Sequence, residues 1–324
     1  MDLIGLRADY ENSLPTYQRA AKNIREAIEL FLGQIDLQPL AVLSRVKDFE
    51  SFAEKVQRKN YSDPFTQTTD FVGIRVVLYF SKDIEKVEKK LQSEFNVLES
   101  ENKSDKFEAN EFGYRSHHLL IKIPAAWAAT PNYRDLGDVA IEVQLRTVMM
   151  HAWAEIEHKL QYKSKDQVPK NLQRRLFLLS AKVEEADDQF EQLEIEIRKY
   201  RKTIADKVAQ TGHFDKSLEL NLDAFKEFLS FFYPGKYLND SIAQSLFDEI
   251  TTKKITFGEL EDVANAFKPF EKALESLVAG PLSAPGYFGY ALDVIYEKFW
   301  EPKRYSNSRN RIIEKINKQR KAFE

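Results

Sequence analysis

The chain has 324 residues, 43% hydrophobic and 31% charged, with 23 Phe and 14 Tyr, which excludes disordered, collagen-like and mucin-like chains. The length exceeds one usual domain, so a catalytic domain plus a second unit is expected. No cysteine is present and the formal net charge is −3. Disulfides, thiolate metal sites and cysteine nucleophiles are thereby ruled out, and a general nucleic-acid coat protein is disfavoured.

Residues Met1 to Asp9 lack a basic region followed by an apolar core, and no later stretch is long and apolar enough to span a bilayer. A cytoplasmic protein is expected, with no membrane and no DNA partner. From Leu14 to about Leu43 apolar residues recur at helical spacing, with breaks near Gly33 and Pro39, which predicts one or two helices. An amphipathic helix is predicted for Ser44 to Lys59. Asp63-Pro64 breaks the pattern before the run from Phe71 to Phe80, rich in Val, Ile, Tyr and Phe, which reads as a strand. Asp83 to Phe95 is helical, Asn96 to Glu99 a short strand, and Tyr114 to Ile123 and Val139 to Arg146 alternate as strands do. A helix follows from Thr147 past His158. After Pro169 strand signals nearly vanish, and Leu172, Leu176, Leu179, Val183, Ala186, Phe190, Leu193 and Ile197 recur in steps of three and four, the mark of a long amphipathic helix. Thr211-Gly212 and Tyr233-Pro234-Gly235 punctuate further helices, and Pro281 to Gly289 reads as a loop. The simplest division is an α/β catalytic domain over 1–200 and a helical extension over 201–324.

Lys47, Ser51 and Lys55 stand four residues apart, with Arg45 before them and Arg58 after, so one helix would carry them along a cationic face. Ammonium groups and a hydroxyl in a row suit a polyphosphate, and a guanidinium stacks on a nucleobase, though a solvated helix face shows the same pattern. Asp70 stands just before an apolar strand. Glu142, Gln144 and Arg146 share one strand face, opposite Ile141, Val143 and Leu145. Two carboxylates from neighbouring strands bind Mg²⁺ well, because that ion takes oxygen ligands and keeps water and substrate phosphates in its shell. Singly, each reads more often as an edge residue or an ion-pair partner. In the octet Glu111 to His118, Gly113 permits a close turn, and Tyr114, Ser116 and His118 point to one face. A ring and two hydrogen-bonding groups so placed clasp a base and its sugar, or simply pack a core. His151, Glu155 and His158 fall on one helical face, but the spacing of a zinc protease is missing. Glycine-loop phosphate motifs and a nucleophile elbow are also missing, so phosphate handling falls to side chains.

Taken in order, Arg45-Val46-Lys47, Asp70-Phe71-Val72-Gly73-Ile74-Arg75, Gly113-Tyr114-Arg115-Ser116-His117-His118, Glu142-Val143-Gln144-Leu145-Arg146-Thr147 and the stretch His151 to His158 resemble the synthetase domain of the RelA/SpoT alarmone family. The resemblance covers roughly residues 40 to 190. It implies an α+β, nucleotidyltransferase-like fold: a mixed β-sheet flanked by helices, followed by an all-α C-terminal extension. It implies Mg²⁺-dependent transfer of diphosphate from ATP to the 3′-hydroxyl of GDP or GTP, giving guanosine tetra- and pentaphosphate. Asp70 and Glu142 are then the catalytic and metal-binding carboxylates. Arg45, Lys47, Ser51, Lys55 and Arg75 bind ATP, and Tyr114, Ser116, His118, Gln144 and Arg146 bind the acceptor.

Two departures bear on the acceptor and on degradation. Asn110, Glu111 and Phe112 occupy a stretch where many such synthetases place a lysine, and an acidic residue there weakens a phosphate-rich acceptor. No paired His-Asp metal motif of the family's hydrolase domain precedes Arg45, so synthesis without degradation is expected. Similar chains also include toxic members that pyrophosphorylate the tRNA 3′ end, some fused to a helical antitoxin-like region that responds to phage. The extension suits such a fusion. Its Lys303, Arg304, Arg309, Arg311, Lys315, Lys318, Arg320 and Lys321 either contact RNA phosphates or solubilise a terminal helix docked through Ile312, Ile313 and Ile316. A GDP/GTP pyrophosphokinase, a tRNA-end pyrophosphokinase and a catalytically silent nucleotide sensor all stay open, as does a homo-oligomer.

Overall fold

The computed structural model describes residues 3–102, 117–160, 169–215, 218–296, 299 and 306–323, and the chain divides into two compact units, Met1–Glu194 and Ile195–Glu324. In the first, α1 (Leu3–Gln34) leads to β1 (Ala41–Val46), α2 (Phe49–Lys59), the short α3 (Pro64–Gln67), β2 (Val72–Leu78) and α4 (Lys82–Glu94). Then come β3 (Asn96–Asn102), β4 (His117–Lys122), the short α5 (Ala125–Ala128), β5 (Ile141–Thr147) and α6 (Val148–Lys159). The strands form one mixed sheet in the order β1-β2-β5-β4-β3, with β2 and β5 parallel and the other neighbours antiparallel.

The alternation of β2 and β5 sends Val72, Ile74, Val76, Ile141, Val143 and Leu145 to one side, where Ile24, Ile28 and Leu32 of α1 and Val87 and Leu91 of α4 close the core. Each such fully buried side chain contributes about 1.5–3 kcal/mol. The opposite face is left to Gly73, Arg75, Glu142, Gln144 and Arg146, because successive strand residues point to opposite sides.

In the first unit the structure departs from the sequence expectation at three places. The predicted helix from Ser44 begins only at Phe49, and Ala41–Val46 is a strand. Asp48 decides the boundary: as N-cap its carboxylate accepts from the Ser51 backbone N–H at 2.8 Å and the Ser51 hydroxyl at 2.9 Å, while the Val- and Leu-bearing run before it pairs with β2. α1 starts well before Leu14 and ends at Gln34, followed by Asp36 in a left-handed conformation with φ 51°. β3 outruns its expected end, and a bulge at Leu98 separates the pair Val97–Ile121 from the pair Glu99–Leu120. That extra residue reverses the facing of the strand. Val97 stays on the core, Glu99 and Glu101 turn to the polar face, and the Ser100 hydroxyl reaches Glu88 of α4 at 2.8 Å.

α7 (Lys170–Thr211) runs across the boundary between the units. Its hold on the first unit is polar: Thr147 donates to Asp187 at 2.6 Å, and Lys82 pairs with Glu194. Its apolar stripe is buried only near its end, at Ile204 and Val208, while Leu179, Phe190 and Leu193 are 51%, 53% and 52% exposed.

In the second unit α8 (Leu222–Phe232), α9 (Asp240–Thr252), α10 (Phe257–Phe267), α11 (Glu271–Leu277) and α13 (Asn307–Phe323) accompany α12 (Ala284–Ile295), whose buried residues run almost unbroken from Ala284 to Val294. Phe225, Phe228, Phe257, Phe267 and Phe288 fill this core. The expected loop from Pro281 to Gly289 is helical from Ala284, because Ser283 caps it and Pro285 falls in the first turn, where its missing N–H is no loss. No helix among the described residues is long and apolar enough to cross a membrane.

Candidate active site

An aromatic cluster seats α2. Phe49, Phe52 and Val56 are buried with Leu6, Tyr10 and Phe71, and the Phe52 and Phe71 rings lie 4.8 Å apart. Both ends of the link into α2 are tied down: the Tyr10 hydroxyl donates to the Lys47 carbonyl at 2.6 Å, and the Lys47 N–H donates to the Phe71 carbonyl at 2.9 Å. Lys47 therefore precedes the helix, yet its ammonium still converges with that of Lys55. They meet on Asp70, Lys47 at 3.0 Å from Oδ2 and Lys55 at 2.9 Å from Oδ1. Ser51 does not join them, since its hydroxyl is given to Asp48.

Glu142 lies mid-sheet, paired across β5 with Gly73 and Leu120. His118 Nδ1 is 2.9 Å from its Oε1, Gln144 Nε2 donates to its Oε2 at 3.1 Å, and Arg146 donates to Gln144 Oε1 at 2.7 Å. Asp70 and Glu142 line one open cleft of about 170 Å³, together with Lys55, Thr69, Glu99, Glu101, His118 and Leu120. Arg45 lies along Gly73, where an added Cβ would come within 3.3 Å of its Nε. A side chain there would press on that guanidinium and force it to shift. Arg75, on the same face, donates to Glu155 of α6 at 2.6 Å.

The cleft is electrically lopsided. Lys55 lines it on the β1–β2 side with Lys47 beside it on Asp70, Glu99 and Glu101 line it from β3 at the far edge, and Arg45 and Arg75 share the sheet face without lining the cleft. Burial lowers the pKa of His151 on α6, and the Arg75 charge acts in the same direction against the pull of Glu155. Burial tends to raise the Glu155 pKa, but the charge and hydrogen bond of Arg75 outweigh it and the net shift is downward. Glu155 thus holds the Arg75 guanidinium, and among the described residues the helical face of His151 and Glu155 forms no group of three metal-ligating side chains. Tyr114 and Ser116 lie outside the described residues. Thr69, Glu99 and Glu101 were not anticipated, and the one signal for them was the alternation Glu99-Ser100-Glu101 in a strand.

The donor set fits Mg²⁺. Asp70 and Glu142 offer carboxylate oxygens to one cleft, and among the described residues no group of three or more His, Asp or Glu is gathered to cage a metal. Two protein carboxylates, with water and substrate phosphates completing an octahedron, is how Mg²⁺ commonly sits beside phosphates.

The family described as "Region found in RelA / SpoT proteins" matches residues 44–167. GTP pyrophosphokinase YwaC of Bacillus subtilis (strain 168) is 30% identical over 180 residues, which covers 53% of this chain and 83% of that protein. The chain belongs to the RelA/SpoT family. As a member it is a diphosphotransferase. GTP pyrophosphokinase YjbM of the same organism is 28% identical over 197 residues, 58% of this chain and 90% of that protein. Small alarmone synthetase 1 from Bacillus subtilis superposes with a TM-score of 0.50 at 28% identity, covering 59% of this chain and 98% of the other. RelA/SpoT membership and the mixed sheet flanked by helices agree with the fold read from the motifs.

Proposed function

We propose that the chain transfers the β,γ-diphosphate of ATP to the 3′-hydroxyl of GDP or GTP, producing guanosine tetra- or pentaphosphate. The observation that carries this reading is the shared cleft of Asp70 and Glu142, with cations gathered at one end. Arg45 and Arg75 take the adenine between planar guanidinium groups, and Lys47 and Lys55 exchange Asp70 for the ATP phosphates. Asp70 and Glu142 would hold Mg²⁺, which when bound supplies charge neutralisation on the transferred group. Glu142 accepts the hydroxyl proton. The acceptor oxygen bonds to the β-phosphorus, the bond from that phosphorus to the oxygen shared with the α-phosphate breaks, and AMP leaves. His118, which lines the cleft beside Glu142, faces the acceptor. Two GTP pyrophosphokinases among the relatives support a guanine nucleotide there.

A second acceptor, the 3′ end of tRNA, is favoured by α13, whose Arg311, Lys315, Lys318 and Lys321 are exposed along its length. Arg309 and Arg320 are not available for this, being bonded to Asp293 and to the Val294 carbonyl, and Lys303 and Arg304 lie outside the described residues. In this scheme 1–200 is catalytic and 201–324 is regulatory, in a cytoplasmic protein that the exposed stripe of α7 suits to a homo-oligomer. Purified full-length chain, Mg²⁺ and γ-labelled ATP are to be incubated with GDP, GTP or deacylated tRNA. Label on the guanine nucleotides supports the first reading and label on tRNA alone replaces it with the second. No transfer to any of them leaves a nucleotide sensor.

A further inference from the structure

Gln144 stands between Glu142 and Arg146 on the polar face of β5, and its amide is engaged at both ends. Its oxygen accepts from Arg146 at 2.7 Å and its nitrogen donates to Glu142 Oε2 at 3.1 Å. A guanidinium carries only donors, so the amide beside it must turn its oxygen that way. The NH₂ group is then forced toward Glu142. Flipped, the amide would set oxygen against carboxylate oxygen and NH₂ against guanidinium, losing both bonds. On the other side His118 Nδ1 neighbours Glu142 Oε1 at 2.9 Å. Each carboxylate oxygen thus has a fixed neighbour.

We propose that Gln144 and Arg146 are positioning residues and not acceptor contacts: Arg146 sets the amide of Gln144, and Gln144 sets the orientation of the Glu142 carboxylate. The inference rests on the pyrophosphokinase reading, in which Glu142 takes the acceptor's hydroxyl proton. A base works only within hydrogen-bond reach and in line with the proton it removes, and a misplacement of about 1 Å costs on the order of a hundredfold in rate. A residue that acts by orienting the base costs kcat and spares the acceptor KM.

The test is a double-mutant cycle read by AMP release at saturating Mg·ATP, with GDP as acceptor, or tRNA if that is what the wild type uses. Gln144→Leu and Arg146→Leu each lower kcat about tenfold or more with the acceptor KM within about twofold. The double variant loses clearly less than the product of the two single losses, since Arg146 is coupled to Glu142 through Gln144. Gln144→Glu keeps the side-chain volume and a partner for Arg146 but replaces the donor by an acceptor, so it guards against misfolding and must lose kcat as Gln144→Leu does. Arg146→Lys, which still only donates, must retain most of the activity. Losses that multiply in the double variant, a rise confined to the acceptor KM, or a fully active Gln144→Glu would each overturn the inference while leaving the pyrophosphokinase reading intact. A wild type that releases no AMP with any acceptor fells both.

Discussion

Asp70 holds one ammonium group on each carboxylate oxygen, Lys47 at 3.0 Å and Lys55 at 2.9 Å. A divalent ion arriving alone meets two like charges within a few ångströms. A polyphosphate draws both lysines off and brings oxygen ligands of its own, so metal and nucleotide should bind with strong mutual support. Mn²⁺ titrated by electron spin resonance should bind weakly to the wild type and about tenfold more tightly when a non-hydrolysable ATP analogue is present. The variant Lys47→Met/Lys55→Met should bind Mn²⁺ alone about tenfold better than the wild type while losing the analogue. Equal Mn²⁺ affinity in both proteins would dismiss the idea. Asp70→Asn should reduce turnover by about a thousandfold or more, with analogue binding in the absence of metal nearly unchanged; retained turnover would refute the metal role. These residues were readable in the sequence to different depths. Alternation from Ile141 to Arg146 displays the polar face that holds Glu142, whereas nothing local shows that Lys47 and Lys55 share one carboxylate, because that depends on how α2 packs on Phe71.

Gly73 of β2 pairs with Arg45 of β1 and with Glu142 of β5, which places the three positions in one row across the sheet. A side chain at 73 would displace the Arg45 guanidinium, so Gly73→Val should raise the ATP KM about fivefold or more while the melting temperature moves little. An unchanged KM would remove Arg45 from the ATP site. The strand under Arg45 was misread as helix because residues 44–59 carry apolar positions at helical spacing, and only the Asp48 cap reveals the break. The bulge at Leu98 had no sequence signal, since register is set by the partner strand. At the junction of β5 and α6, Thr147 caps α6 by accepting from the Met150 N–H at 3.1 Å and donates to Asp187 of α7. Burial raises the pKa of Asp187, with the Thr147 hydrogen bond pulling the other way and Asp188 and Glu191 adding to the rise. A carboxyl whose folded-state pKa is raised favours folding in its protonated form and opposes it as pH climbs through that pKa. Asp187→Asn, which keeps an acceptor for Thr147, should therefore raise the melting temperature by about 2–4 °C at pH 7.5, and the gain should vanish toward pH 4. A gain that persists at pH 4 would point to packing and not to charge.

The two units have separate hydrophobic cores, one of β-sheet with α1 and α4, the other built round α12. The sequence showed this split as the loss of strand signals after Pro169, because period-two alternation gives way to three- and four-residue steps. It did not show that α12 is the centre, since a helix beginning Ala-Pro-Gly looks like a loop until its cap is known. Deep in the second core the Asp293 carboxylate is fully buried and accepts from Arg309 Nε at 3.1 Å and Nη2 at 2.7 Å. α13 is fastened there, with Ile313 and Ile316 wholly buried beside it. Taking the guanidinium away leaves a carboxylate among apolar groups without its main counter-charge, a change that destabilises by about 3 kcal/mol. Arg309→Met should accordingly speed amide hydrogen exchange in α12 about a hundredfold, because exchange there proceeds through opening of this core, while β2 and β5 amides keep their protection. Adding Asp293→Asn should return most of that protection, since a neutral side chain pays far less for burial. If α12 exchanges no faster in Arg309→Met, the ion pair does not hold the second core; if β2 and β5 lose protection equally, the two cores open together and cannot be treated as independent folding units.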